Sequence, residues 1–251
     1  MPNLGSSWLS SHFGNASNWL AAAIPSQCWI CQRWPSTSLC PDCLARWAQP
    51  VHRCQGCALP LPSLATLSTT LCGQCLRNPP LLNACVAAVD YAYPWRSLIS
   101  DFKFRSNIAL AKSFAQVLRQ HPQANELIQQ CDALVTVPLS AQSLRVRGFD
   151  QTQLLGRALA PHKMLSQLVL RRHTEQAQHE LTRQQRLRQL QDVFHLNPRK
   201  PQLAAQIQGR HILLLDDVMT TGATLNALAA TLLNAGALQV SGLVLARTAL
   251  Q

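Results

Sequence analysis

Eight of the ten cysteines fall into four C-x-x-C pairs: Cys28/Cys31, Cys40/Cys43, Cys54/Cys57 and Cys72/Cys75. Each pair can present two thiolates from one tight turn, which is half of a tetrahedral metal site. Four pairs therefore supply two four-cysteine sites. A disulfide framework would need an oxidising compartment, and a thioredoxin-type redox centre would use one pair rather than four. No cysteine stands beside an obvious catalytic His or Glu, so both sites are expected to be closed and structural, holding about two zinc ions per chain. Sequential pairing is preferred, with Cys28, Cys31, Cys40 and Cys43 on one ion and Cys54, Cys57, Cys72 and Cys75 on the other. The spacing leaves cross-braced pairing open. Cys85 and Cys131 flank apolar runs and are expected to be buried small hydrophobes.

A second concentration of chemistry lies at residues 211–224, HILLLDDVMTTGAT. The acids Asp216 and Asp217 can accept hydrogen bonds from sugar hydroxyls or hold a hydrated Mg2+. Val218 and Met219 follow, then Thr220, Thr221, Gly222, Ala223 and Thr224, whose hydroxyls and N–H groups suit phosphate oxygens. Gly222 permits close backbone approach. No Lys follows the glycine, so this is not the P-loop of an ATPase. A bland capped helix is the competing account. It needs one such residue rather than five, in a chain with only eleven acids.

Cations gather at three further places. Phe102-Lys103-Phe104-Arg105 interleaves aromatics with bases, a combination suited to stacking on nucleobases and pairing with phosphates. The same aromatics could instead be core. Pro138-Leu139-Ser140, followed by a turn carrying Arg145, Arg147 and Gly148, makes a second anion site. Residues 171–191 are Gln-rich and basic, with Arg171, Arg172, Arg183, Arg186 and Arg188, and read as a mobile loop followed by a solvated helix.

The elements that must position these groups are legible from periodicity. Ile212–Leu215 is an apolar run of buried-strand type. Leu225, Leu228, Ala229, Leu232 and Leu233 then repeat at helical spacing. Strands are also expected at Val86–Tyr93, Ala133–Val137, Leu165–Leu170, Val193–Leu196 and Val240–Ala246, the last returning by a βαβ crossover. Helices are expected over Trp95–Gln120, interrupted near Phe102–Arg105, and after Asp150. Residues 1–25 form an amphipathic lead-in, 26–78 a double zinc ribbon and 82–251 the larger domain, with Asn78-Pro79-Pro80 as linker.

The 251 residues carry a formal net charge of +11, which makes polyanions, nucleic acid first, plausible partners. No segment approaches the roughly 18 apolar residues of a membrane span. The N-terminus lacks a basic n-region, so a cytoplasmic protein without membrane insertion is expected.

Two levels of resemblance follow from these motifs. LLLDDVMTTGAT resembles the phosphoribosyl-pyrophosphate (PRPP) loop of the type I phosphoribosyltransferases. That likeness implies an α/β, Rossmann-like parallel sheet with flanking helices. It assigns Asp216 and Asp217 to the ribose hydroxyls, as the catalytic acid pair, and Val218–Thr224 to the 5′-phosphate. It gives pyrophosphate to Pro138, Leu139 and Ser140 with Arg145 and Arg147, and it implies Mg2+ bound with PRPP and a lid at 171–191. The cysteine knuckles, FKFR, V-P-L…R-x-R-G-F-D-Q, the segment with Gln178, Leu181 and Arg186, and the loop together resemble the ComF/GntX family. That family implies DNA uptake or utilisation, with single-stranded DNA and competence or DNA-processing proteins as partners. Lys103, Arg105, Arg145 and Arg147 are then candidate contacts to pyrophosphate or DNA. Asp150 stands where Asn is commoner and adds a negative charge beside Arg147. Gln189 likewise departs from the family's pattern. Whether PRPP is turned over, as in an active transferase of nucleotide salvage, stays open at this level.

Overall fold

The computed structural model describes residues 26–62, 70–172 and 193–249. The expected lead-in helix at 1–25 lies outside these residues. So does most of the expected lid, including Gln178, Leu181, Arg183, Arg186, Arg188 and Gln189.

The chain divides into two compact units, one ending at Ala45 and the other beginning at Arg46. The two cysteine clusters fall on different sides of this division. In the first unit, the turn of Cys28 and Cys31 is closed by paired backbone bonds between Ser26 and Ser36, both 2.8 Å. It leads to α1 (Pro41–Trp47), whose Asp42 meets Arg33 at 2.6 Å. That pair is exposed and adds little stability.

The second unit contains α2 (Gly73–Arg77), β1 (Cys85–Asp90), α3 (Trp95–Phe104), α4 (Leu110–Gln120), α5 (Pro122–Gln130) and β2 (Ala133–Thr136). There follow α6 (Ala141–Arg147), α7 (Gln151–Leu159), β3 (Val169–Arg171), β4 (Phe194–Leu196), α8 (Pro201–Ala205), β5 (His211–Met219), α9 (Ala223–Asn234) and β6 (Gln239–Arg247). Four strands make a parallel sheet in the order β1-β6-β5-β2. Its strands are apolar runs because both faces are covered. On one face Ile212, Leu214, Val240 and Val244 share a core with Leu225, Leu228, Ala229 and Leu232 of α9. Helices α5 and α7 also pack on the sheet, and α4 packs on both of them.

Helix ends are satisfied locally. Asp150 caps α7, its carboxylate accepting from the Gln153 N–H at 3.0 Å and the Thr152 hydroxyl at 2.7 Å. The Lys163 ammonium donates to the carbonyls of Ile128, Gln129 and Cys131 at 2.7–2.9 Å, closing the C-terminal end of α5. That placement favours a cation.

Several expected elements are revised. Leu165–Leu170 is not a strand of the main sheet. Met164 makes a single bridge to Leu134, and Val169–Arg171 pairs antiparallel with Phe194–Leu196 in a separate ribbon. The turn expected at Leu144–Gly148 is a helix, α6, ended by Gly148 in the left-handed conformation at φ 74°. No helix among the described residues is long and apolar enough to cross a membrane.

Candidate functional site

The carboxyl edge of a parallel sheet is where open α/β folds bind ligands, and the acid pair lies there. Strand β5 does not stop at Leu215. It pairs with β6 as far as Met219↔Arg247, with Asp216 opposite Val244, so both acids lie within the strand. Successive strand side chains point to opposite faces, and the acids therefore occupy different environments. Asp217 is 3% exposed. Its carboxylate meets the Lys103 ammonium at 2.7 Å and accepts from the Gln151 amide at 2.9 Å. Asp216 accepts from the Asp217 N–H at 2.8 Å and is half-buried.

Desolvation, followed by the Asp217 charge, pushes the Asp216 carboxyl up to about 8 from its ordinary 3.8. The native state then holds this proton more tightly than the unfolded chain. The resulting destabilisation is absent below about pH 3.8, grows as pH rises, and is complete above about 8. Asp216→Asn is accordingly expected to gain stability relative to wild type as pH is raised across that window. Paired urea titrations at several pH values test this, and a constant difference would contradict it.

The turn after β5 runs through Thr220 and Thr221 to Gly222, which caps α9 at φ 82° with no side-chain cap bond. The ordinary capped-helix account is thus met only by a weak bond from the Ala223 N–H to the Thr221 hydroxyl, 3.3 Å. The first N–H groups of the 12-residue α9 lack intrahelical acceptors, as at any helix start, and favour an anion. Gly222 suits its left-handed conformation, φ 82°, which costs other residues about 1–2 kcal/mol; a Cβ would also meet the Met219 methyl group, the free end of a flexible side chain. Gly222→Ala is expected to destabilise the protein by about 1–2 kcal/mol, read as a lowered urea midpoint.

Strand β2 brings the second loop alongside. Thr136 pairs with Leu215 and the Val137 N–H donates to the Leu215 carbonyl at 3.0 Å. Pro138 thus begins next to Asp216 at the same sheet edge. Ser140 caps α6, accepting from the Ser143 N–H at 3.1 Å. Pro138, Leu139, Phe149 and Leu154 line an open cavity of about 1020 Å3, together with Arg157, Arg171, Arg199 and Lys200.

The four residues of the FKFR segment have four different surroundings. Phe102 is fully buried and packs edge-on against Phe114, centroids 5.5 Å apart. Lys103 turns to Asp217. Phe104 is exposed, and the Arg147 guanidinium stacks over its ring at 5.2 Å. Arg105 is exposed and lies 3.4 Å from Asp101. Asp150, expected to offset Arg147, is instead occupied in capping α7. Arg145 sits in the last turn of α6, which buries none of its residues.

The cysteines form two sets in sequential pairing: Cys28, Cys31, Cys40 and Cys43, and Cys54, Cys57, Cys72 and Cys75. Within each set the sulfurs lie within 4.8 Å of one another. Cys31–Cys40 and Cys57–Cys72 are each 3.7 Å apart, close to the roughly 3.8 Å edge of a tetrahedron with 2.3 Å metal–sulfur bonds. The backbone N–H of Cys40 points at the Cys28 sulfur, 3.4 Å, and that of Cys72 at the Cys54 sulfur, 3.2 Å, as suits thiolates. Both sets therefore fit a divalent ion of this type. Cys85 and Cys131 are buried, as expected.

Two residues escaped the sequence reading. Gln151, 2% exposed, orients Asp217, and its own side-chain oxygen has no hydrogen-bond partner among the described residues. The only hint was its place in R-x-R-G-F-D-Q. Arg247 is 2% exposed, and an arginine ending an apolar strand was the signal available.

A family model described as the phosphoribosyl transferase domain matches residues 166–249. DNA utilization protein YhgH of Escherichia coli (strain K12) is 35% identical over 235 residues, covering 90% of this chain and 98% of that protein. The protein of the same name from Salmonella typhimurium (strain LT2) is 33% identical over 236 residues, with the same coverage. Competence protein F of Haemophilus influenzae (strain Rd) is 30% identical over 183 residues, 68% of this chain and 77% of that one. These similarities join a parallel sheet of phosphoribosyltransferase type to two four-cysteine clusters, and the chain belongs to the ComF/GntX family.

Proposed function

We propose that this protein acts in DNA uptake or utilisation through a core that binds PRPP with Mg2+, carries structural zinc in its two four-cysteine sites, and holds single-stranded DNA on its basic surface. The observation carrying the PRPP assignment is the end of β5. There a buried, Lys103-paired Asp217 and a protonatable Asp216 lead directly into a Thr-Thr-Gly turn at the start of α9. Asp216 and Asp217 take the ribose hydroxyls and Thr220–Thr224 the 5′-phosphate, with Val218 and Met219 placing the turn. The neighbouring loop at Pro138, Leu139 and Ser140 takes pyrophosphate. The names of the relatives support the DNA role, as does the net charge of +11.

Calorimetry with PRPP and Mg2+ tests this on wild type and on the Asp216→Ala/Asp217→Ala double variant. Binding by wild type and none by the variant is expected; no binding by wild type would overturn the assignment. For DNA, titration with an oligonucleotide at two salt concentrations should give an affinity falling with salt, with log–log slope about 0.7 per phosphate neutralised. Phe104→Ala and Arg147→Ala should each weaken it, because they remove a stacking surface and its cation.

One observation favours phosphoribosyl transfer as a second reading. The open cavity of about 1020 Å3 beside Pro138 and Leu139 has room for an acceptor. Release of pyrophosphate from PRPP in the presence of DNA or nucleobases distinguishes turnover from binding alone.

A further inference from the structure

Arg247 ends β6 and is almost fully buried, yet no carboxylate pairs with it among the described residues. A buried guanidinium without a counter-charge is strongly disfavoured. Its Nε donates to the Cys57 carbonyl at 2.9 Å. Its Nη1 lies within hydrogen-bonding reach of the carbonyls of Met219 at 3.3 Å, of Thr220, and of Thr248 at 2.6 Å. Cys57 belongs to the second cysteine set, and four thiolates around a divalent ion carry a net charge of −2. Met219 and Thr220 are the residues by which β5 passes into the Thr-Thr-Gly turn. One side chain therefore touches both the metal knuckle and the phosphate turn, although Arg247 and Cys57 are 190 residues apart in the chain.

We propose that Arg247 is a positioning residue that couples the second metal site to the phosphate turn. The metal–thiolate centre supplies the missing counter-charge and fixes the Cys57 carbonyl. The guanidinium then holds the carbonyls of Met219 and Thr220, keeping the entry to the turn in one conformation. Loss of the metal frees Cys57 and leaves the cation unbalanced, and the turn loosens. A lysine cannot replace this fork, because one ammonium cannot span acceptors on two sides of a rigid guanidinium plane. The identity of the ligand on the turn, a 5′-phosphorylated ribose, rests on the proposed function, but the coupling itself does not.

Hydrogen exchange of peptides covering 216–226 and 53–60 reads the coupling directly. It is measured on metal-replete wild type, Arg247→Met and Arg247→Lys, and on each after treatment with a chelator. Both variants should exchange roughly tenfold faster than wild type at 216–226, since hydrogen bonds to a charged group are lost. Chelation should speed exchange there in wild type and add little in either variant. Should Arg247→Met fail to fold, Arg247→Lys carries the comparison, because it retains the charge. Chelation that loosens 53–60 and leaves 216–226 unchanged would overturn the coupling, as would an equal response in wild type and variants. Titration with PRPP separates the two claims. An exchange response with no PRPP binding by wild type sustains the coupling and removes the ligand, whereas PRPP affinity indifferent to metal and to Arg247 does the reverse.

Discussion

Cys75→Ser is expected to lower the melting temperature of the unit holding the parallel sheet by about 4–20 °C. The second cysteine set is built into that unit rather than appended to it. Ala58, at the end of the Cys54–Cys57 turn, is fully buried in the same core as Cys85, Ala87 and Met219. The Cys85 N–H donates to the Gln55 carbonyl at 2.6 Å, at the start of β1. Arg53, nearly fully buried, reaches Asp90 at the far end of that strand, 2.7 Å, and donates to the Ala58 carbonyl at 3.2 Å. A tie of this kind is comparable to a native disulfide, worth about 2–5 kcal/mol, and 1 kcal/mol shifts the midpoint of a 150–250-residue domain by about 2–4 °C. Cys31→Ser is the control. It lies in the other unit, so it should remove a metal equivalent and leave the main transition in place. Scanning calorimetry with metal analysis checks both, and equal melting shifts for the two variants would count against this arrangement.

Asp217→Ala should cost about 3 kcal/mol of stability and abolish PRPP binding. Removing one partner of a buried ion pair leaves the other charge uncompensated, which costs about 3–5 kcal/mol, whereas replacing both partners by apolar groups is often neutral. Lys103 is the partner at 2.7 Å, its side chain only 17% exposed. Lys103→Met should therefore be similarly damaging, and Lys103→Met/Asp217→Leu should recover most of the loss in urea unfolding. Simple additivity of the single effects would show that the two groups do not act as a pair. PRPP binding should fail in Asp217→Ala and in the double variant, because both lack the proposed ribose acceptor even where stability returns. Recovery of binding along with stability would remove Asp217 from the ligand site.

What was legible in the chain follows the range over which each interaction acts. A C-x-x-C turn brings two thiols together within four residues, so the two four-cysteine sets could be named before any fold was known. The run Ile212–Leu215 and the helical repeat from Leu225 were legible for the same reason: burial on a strand or helix leaves a local period. The acids were misplaced at a strand end because polarity masks a strand whose pairing partner, β6, continues to Arg247. The Arg145–Arg147 segment read as a turn because its helix buries nothing and so leaves no apolar period.

Residue types alone therefore determined that the chain carries two sets of four cysteines at metal-ligand spacing, and that an acid pair precedes a hydroxyl-rich turn. Tertiary structure decided which groups serve which. It gave Lys103 to Asp217 rather than to solvent, and Phe102 to the core while Phe104 stayed outside. It also placed Gln151 on a carboxylate 66 residues away and Arg247 between the Cys57 carbonyl and the Thr-Thr-Gly turn. These assignments depend on sheet register and on the energy of burying charge. A buried charge must be met by whatever partner groups the fold brings to it, and no local pattern records that choice.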